Sequence, residues 1–423
     1  MEDKYWWKDI VIYETYVDKF ARDFKGLTEK LGYLEDLGIN CIHLLPFFPS
    51  PRVDDGYDVS DYTNVQSELG TIEDAKSFIS QASKHGIRVM MDLVFNHTST
   101  QHPWFKEASS SPDSPKREYY LWSKTGEEYP EAYNPFEHLK PKSWILDPTS
   151  GQYYFSTFYP EQADLNWDNP EVEREFLNIM DFWVDAGVSL FRLDAASFLI
   201  KRDGTNCRHL PETHTVLKRI RRHIEENYPH VALLAEVHAP IEKAIEYFGD
   251  GDECHMAYNF YLMQQMYMSF ARRDPSLVDK AIDKTSKIPE SCQWATFLSS
   301  HDEITLSTMD SAEREEMLSF LDPESKWIFK TGKSTSMRLA TVFNGDDDKT
   351  LDALRMLFEV PGSPVIYYGS EIGMENEDLS GKFRDTRMYV RGQFDWAKAE
   401  EQRKDPNSMF NKVRGMIRKR RGI

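Results

Sequence analysis

Four short segments of the chain set ionisable side chains directly behind apolar runs. They are Asp92-Leu-Val-Phe-Asn-His97, Phe191-Arg-Leu-Asp194, Ala235-Glu236 and Ser300-His-Asp302. Asp194, Glu236 and Asp302 are the candidates for acid–base or nucleophilic work, with Arg192, His97 and His301 beside them. Taken singly, each carboxylate fits a structural ion pair as readily as catalysis, and Asp92 reads as a residue that fixes a loop or an arginine. Taken together they are harder to explain structurally, because crowded carboxylates repel. Crowding raises the pKa of one and leaves another ionised. Glycoside hydrolysis needs that division between an acid and a nucleophile.

The elements that must position these residues are legible as eight short apolar runs, at 10–16, 41–45, 88–95, 189–193, 231–235, 254–258, 293–298 and 364–368. Each is apolar throughout rather than alternating, as in strands buried on both faces. Helical patterns lie between them: Leu27, Leu31, Leu34 and Leu37 share one helical face, and a second helix is expected over 73–85. Alternating strands and helices imply a parallel sheet with right-handed crossovers. Eight strands, and no glycine-rich turn after the first, favour an α/β fold of the closed (β/α)8 TIM-barrel type over an open sheet. In such a barrel the C-terminal strand ends share one mouth, and the four segments all fall there.

One connection is too long for a loop. About seventy residues separate His97 from Trp167, and a structureless stretch of that length is improbable. They include Trp104, Trp122, Trp144, Tyr119, Tyr120, Tyr153, Tyr154 and Tyr159. The expected organisation is therefore a barrel over 1–96 and 169–423, with a small inserted domain at 97–168 whose aromatics mostly fill its own core.

Composition narrows the partners. A formal net charge of −19 disfavours nucleic acid and anionic membranes, leaving a small neutral substrate as the easier fit. No segment has the length and apolarity of a signal peptide or a membrane span. The four cysteines, Cys41, Cys207, Cys254 and Cys292, form no CxxC pair and are expected to be free thiols in a cytoplasmic protein. The basic run 418–421 reads as a solvated helix end.

In order and in content, the four segments resemble the α-amylase family of glycoside-processing enzymes, with Gln162-Ala-Asp-Leu-Asn166 similar to a fifth family segment. Within the family, 204–214, 248–257, 292–295 and 361–374 are similar to the trehalose synthases, which interconvert maltose and trehalose. The resemblance implies that Asp194 is the nucleophile, Glu236 the general acid/base with a raised pKa, and Asp302 the residue that grips the sugar's 2- and 3-hydroxyls. It further implies that Arg192 orients Asp194, that His97 and His301 bond glucose hydroxyls, that Asp54 holds a terminal 4-hydroxyl and that Tyr57 stacks on the ring. A family segment usually read as RTPMQW appears here as Arg391-Gly-Gln-Phe-Asp-Trp396; Arg387 and Arg391 keep the arginine spacing, and Arg391 is expected to pair with Asp54. No cofactor and no metal are expected, Lys201 falling where relatives place a cation ligand. Relatives continue into a C-terminal β domain; either this chain lacks it or the sequence is a fragment of a longer one. The implied reaction is double displacement on short α-glucosides, by maltose–trehalose interconversion or by α-glucosidase hydrolysis. An internal starch-cleaving amylase fits less well, and a non-catalytic barrel used for binding is the reading from another class.

Overall fold

The computed structural model describes residues 4–377 and 385–423. Its centre is a closed barrel of parallel strands: β1 (Ile12–Thr15), β2 (Cys41–Leu44), β3 (Arg88–Val94), β4 (Leu190–Asp194), β5 (Ala232–Ala235), β6 (Met256–Tyr258), β7 (Gln293–Thr296) and β8 (Ser363–Tyr367). Each pairs with its neighbours in sequence, and β8 closes on β1 through Ile12 opposite Val365 and Tyr13 opposite Ile366. All eight expected runs thus become barrel strands, six of them trimmed by a residue or more and two, β4 and β8, shifted by one residue.

The helices outside the barrel follow their local signals. Ile72–Lys84 opens with a reciprocal cap: Thr71 Oγ1 accepts from the Asp74 N–H at 3.2 Å, and the Asp74 carboxylate accepts from the Thr71 N–H at 3.0 Å. Ala75, Phe78, Ile79 and Ala82 then turn one stripe onto the barrel wall, a helical face. Burying side chains the size of Phe78 and Ile79 contributes about 1.5–3 kcal/mol each. Pro170–Asp185 starts with proline at its first position behind an Asn169 cap. The helix expected around 27–37 is two: Phe24–Glu29 and Leu31–Leu37 meet at Lys30, whose φ of −96° and ψ of 0° leave the helical range. Leu27, Leu31, Leu34 and Leu37 stay buried across that break.

Between β3 and Pro170–Asp185 the chain folds outward. His97–Ser99 pairs antiparallel with Gln162–Asp164, and Trp122–Ser123, Tyr153–Phe155 and Trp144–Leu146 form a separate three-stranded sheet. Phe105, Tyr120, Trp122 and Tyr154 pack edge and face against one another there. A second excursion, after β7, is invisible in the sequence pattern because its strands are two residues long. Ile304–Thr305, Ser334–Thr335 and Ile328–Phe329 form a small sheet beside the helix Ser311–Leu321. All four cysteines are buried and unpaired. Among the described residues no helix is long and apolar enough to cross a membrane.

Candidate active site

Strand register brings the carboxylates together. On β3 and β4, Asp92 lies opposite Arg192 and Val94 opposite Asp194; on β4 and β5, Leu193 lies opposite Ala235. Glu236 continues that ladder, its N–H donating to Leu193 O at 3.1 Å. Asp194 and Glu236 therefore leave adjacent strands at one height, strands that lie about 4.8 Å apart. Arg192, itself 2% exposed, spans them: Nη1 donates to Asp194 Oδ1 at 2.5 Å and to Asp92 Oδ1 at 2.9 Å, while Nη2 lies 3.0 Å from Glu236 Oε2. Two carboxyl groups on one guanidinium suit the spacing of about 5–5.5 Å that retaining glycosidases use.

Glu236 has two further partners. Ala195, directly after Asp194, takes a left-handed backbone (φ 50°, ψ 36°) that aims its N–H at Glu236 Oε2, 2.9 Å away. His238 Nε2 lies 3.0 Å from Glu236 Oε1. These contacts reverse the expected order of acidities in the empty site. Burial raises the Asp194 carboxyl well above its ordinary range, and Glu236, Asp92 and Asp302 add to that against Arg192. Burial also acts to raise Glu236, but Arg192 and His238 together outweigh it and hold Glu236 low. The same guanidinium thus serves both carboxyls, and what separates them is the second donor, His238, on Glu236. The sequence could not anticipate this, because the second donor on Glu236 comes from His238.

The third carboxylate rests on a buried relay. His301 donates its backbone N–H and Nδ1 to Glu14 Oε1 on β1, at 2.8 and 3.0 Å. Its Nε2 lies 3.1 Å from Asp302 Oδ2 and 2.7 Å from the Tyr57 hydroxyl. Burial alone would depress His301, but Asp302 and Glu14 carry its pKa up to about 10, so it is a cation. Asp302 is pulled the other way: burial opposes ionisation, yet His301, Arg387 and Arg391 hold it well below the usual carboxylate range. Beneath them His43 on β2 sits between Glu14 (3.4 Å) and Asp92 (3.3 Å).

Asp54 closes the inner end. Its Oδ1 meets Arg387 Nη2 at 2.9 Å, and Arg387 also reaches Asp302 Oδ1 at 3.0 Å and Asp385 at 2.6 Å. Arg391 is 3.9 Å from Asp54 and closer to Asp302 (3.2 Å) and to His301 O (3.0 Å). The nearer partner of Asp54 is therefore Arg387; the expected pair with Arg391 is present but long, and Arg391, its side chain fully buried, chiefly braces the far side of Asp302. Gly56 makes the turn at 54–57 possible: its φ is +114°, and a Cβ there would lie 2.9 Å from Pro46 O.

An open cavity of about 850 Å³ lies over these groups, lined by Asp54, Tyr57, His97, Asp194, Glu236, Asp302 and Arg387 among others. Arg192 and His301 lie one layer below and face a smaller recess that also reaches Glu236 and Asp302. The Tyr57 hydroxyl donates to Asp92 Oδ2 at 2.8 Å, and its ring stacks on His301. Both nitrogens of His97 are engaged, Nε2 with Tyr57 O at 3.0 Å and Nδ1 with Asn96 Nδ2 at 3.3 Å, and burial lowers its pKa to about 4. It props Tyr57 as a neutral ring. Lys201 Nζ lies 2.6 Å from Asp164 and 3.2 Å from Asn96 Oδ1, with Phe198 O at 2.5 Å. An ammonium thus occupies the centre of that oxygen cluster.

The outer wall of the cavity was not legible. Tyr133, Phe136, Phe158, Phe198, Arg208, His238, Lys330 and Lys333 line it, from the inserted segment, from the turns after β4 and β5 and from the small sheet after β7. None is the residue that ends a barrel strand. Arg387 alone left a signal, the retained arginine spacing.

The matches to known proteins agree with this architecture. Residues 18–330 match the family model for the α-amylase catalytic domain. The chain is 42% identical over 403 residues to a trehalose synthase of Thermus thermophilus, covering 93% of this chain and 41% of that protein. It is 41% identical to a trehalose synthase of Pimelobacter sp. (88% and 68%) and 30% identical to an oligo-1,6-glucosidase of Parageobacillus thermoglucosidasius (97% and 73%). The chain thus spans 41% and 68% of the length of those two trehalose synthases. Among solved structures, a trehalulose synthase from Pseudomonas mesoacidophila MX-45 superposes with a TM-score of 0.79 at 26% identity, covering 99% of this chain and 84% of that one. With a matching family model over 18–330, a closed eightfold barrel and three carboxylates at its C-terminal mouth, this chain belongs to the α-amylase family.

Proposed function

We propose that this chain is a retaining α-glucosyl enzyme for short α-glucosides and that its reaction is maltose–trehalose interconversion. The observation that supports this most is the shared Arg192 guanidinium, which sets Asp194 and Glu236 side by side under a cavity closed at its inner end by Asp54 and Arg387. A terminal glucose fits that closed end with its 4-hydroxyl on Asp54 and its 2- and 3-hydroxyls on Asp302, while Tyr57 supports the ring. Asp194 attacks the anomeric carbon, and Glu236 protonates the departing oxygen; the glucosyl-enzyme is then opened by a deprotonated acceptor hydroxyl. For this Glu236 must carry a proton and Asp194 a negative charge when substrate is bound. The anion left on Asp194 is held by Arg192. Isomerisation requires that the released glucose turn and re-attack before water does, which the aromatic outer wall of Tyr133, Phe136, Phe158 and Phe198 favours by excluding water. The similarity to trehalose synthases at 41–42% identity supports the same reaction, and that to an oligo-1,6-glucosidase supports hydrolysis as the second reading.

A time course on maltose, with anomers followed by NMR, tests both. Trehalose as main product is expected. Glucose alone, appearing first as the α-anomer, would make the chain a hydrolase. No turnover by the wild type, or equal turnover by Asp194→Asn, would refute the proposed machinery.

A further inference from the structure

Most charged groups lining the cavity are paired. Arg387 holds Asp54 and Asp302, Lys330 holds Glu303, and Arg192 lies under Asp194 and Glu236. Two cations remain that, among the described residues, have no carboxylate within ion-pair distance: Arg208 and Lys333. Arg208 is held by other means. Its guanidinium lies 4.7 Å from the ring centres of both Tyr133 and Phe198, and Nη2 donates to His238 O at 2.7 Å. Its Nε is buried with no hydrogen-bond partner. Burial lowers the Arg208 pKa, and the opposing pull of Tyr133, Tyr247 and Glu236 does not make up for it. A guanidinium kept in place by aromatic faces, with donors to spare, is built to receive an oxyanion. Its backbone link to His238, the partner of Glu236, places it on the acceptor side of the carboxylates, away from the Asp54 end.

We propose that Arg208 and Lys333, both on the wall of this cavity, form an anion-accepting part of the acceptor subsite, which takes a sugar bearing a phosphate or carboxylate group in addition to the neutral glucose of the proposed reaction. This rests on the proposed glucosyl chemistry for its place in the reaction, but binding does not depend on turnover. The two cations also counter the carboxylates that line the inner half of the cavity, which would otherwise repel such a ligand.

Calorimetric titration of the wild-type chain with glucose, glucose 6-phosphate and glucuronate tests the proposal directly. An anionic sugar should bind about 10- to 100-fold more tightly than glucose, the range of a charge-assisted hydrogen bond or two. The tighter of the two probes identifies the anion. The preference should collapse in Arg208→Gln and, separately, in Lys333→Gln, with glucose affinity serving as the internal control for the fold of each variant. Equal affinities in the wild type, or a preference that survives either substitution, would overturn it. Failure of the maltose time course with a retained anion preference would count against the proposed reaction alone.

Discussion

The substitution Glu14→Gln isolates the charge that keeps His301 cationic. Glu14 is 1% exposed and accepts twice from His301, at 2.8 and 3.0 Å. The His301 pKa of about 10 lies well above the 6.5 of an unperturbed imidazole. A raised pKa of this kind stabilises the fold fully below pH 6.5, and that contribution is lost as pH rises towards 10. Two opposite charges about 4 Å apart contribute about 4 kcal/mol at an effective dielectric of 20, and each pH unit corresponds to about 1.4 kcal/mol. Removing the Glu14 charge, with Asp302 still at 3.1 Å, should therefore lower the His301 pKa by about two to three pH units. The glutamine amide keeps the shape of the side chain and one acceptor. Denaturant unfolding of both proteins at intervals from pH 6.5 to 10 gives the difference in stability directly, and groups that titrate alike cancel. The wild type should exceed the variant by about 2–4 kcal/mol at pH 6.5, and the gap should close towards pH 10. Parallel curves, separated by the same amount at every pH, would mean that Glu14 only fills space and that His301 is not held charged by it.

Two further outcomes follow from the same geometry. His238→Phe keeps the packing on Phe260 (ring centres 4.0 Å apart) but removes the donor to Glu236. With that donor gone the Glu236 pKa should rise and the basic limb of kcat/KM move up by about one pH unit; an unmoved limb would remove His238 from the control of Glu236. Lys201→Met leaves Asp164 buried with only Thr157 as close partner, and should cost about 3–5 kcal/mol of stability measured by denaturant unfolding. A loss below about 1 kcal/mol would show that the ammonium is not needed to hold Asp164 and Asn96.

The barrel and its mouth were legible in the chain alone. Strand identity is a local property here: runs such as 89–94 and 190–194 are buried on both faces, so every residue in them is apolar or belongs to the site, and the polar residue that follows or ends such a run is conspicuous. Asp194, Glu236 and Asp302 stood out for that reason, and so did the long insertion after β3. What surrounds them is a product of folding. That Arg387 lies closer to Asp54 than Arg391 does depends on the course of the 3-10 turn Thr386–Val390, which spacing alone does not fix. That His238 and Arg192 hold the Glu236 pKa low while burial raises that of Asp194 depends on which donors point at which oxygen, a matter of a few ångströms. The outer wall, with Arg208, Lys330 and Lys333, comes from turns and two-residue strands whose sequences carry no periodicity, and only folding brings them to the carboxylates. Chemistry written at strand ends can be read from the chain; acidity order and substrate selection arise from contacts between segments far apart in it, and those exist only once the barrel has closed.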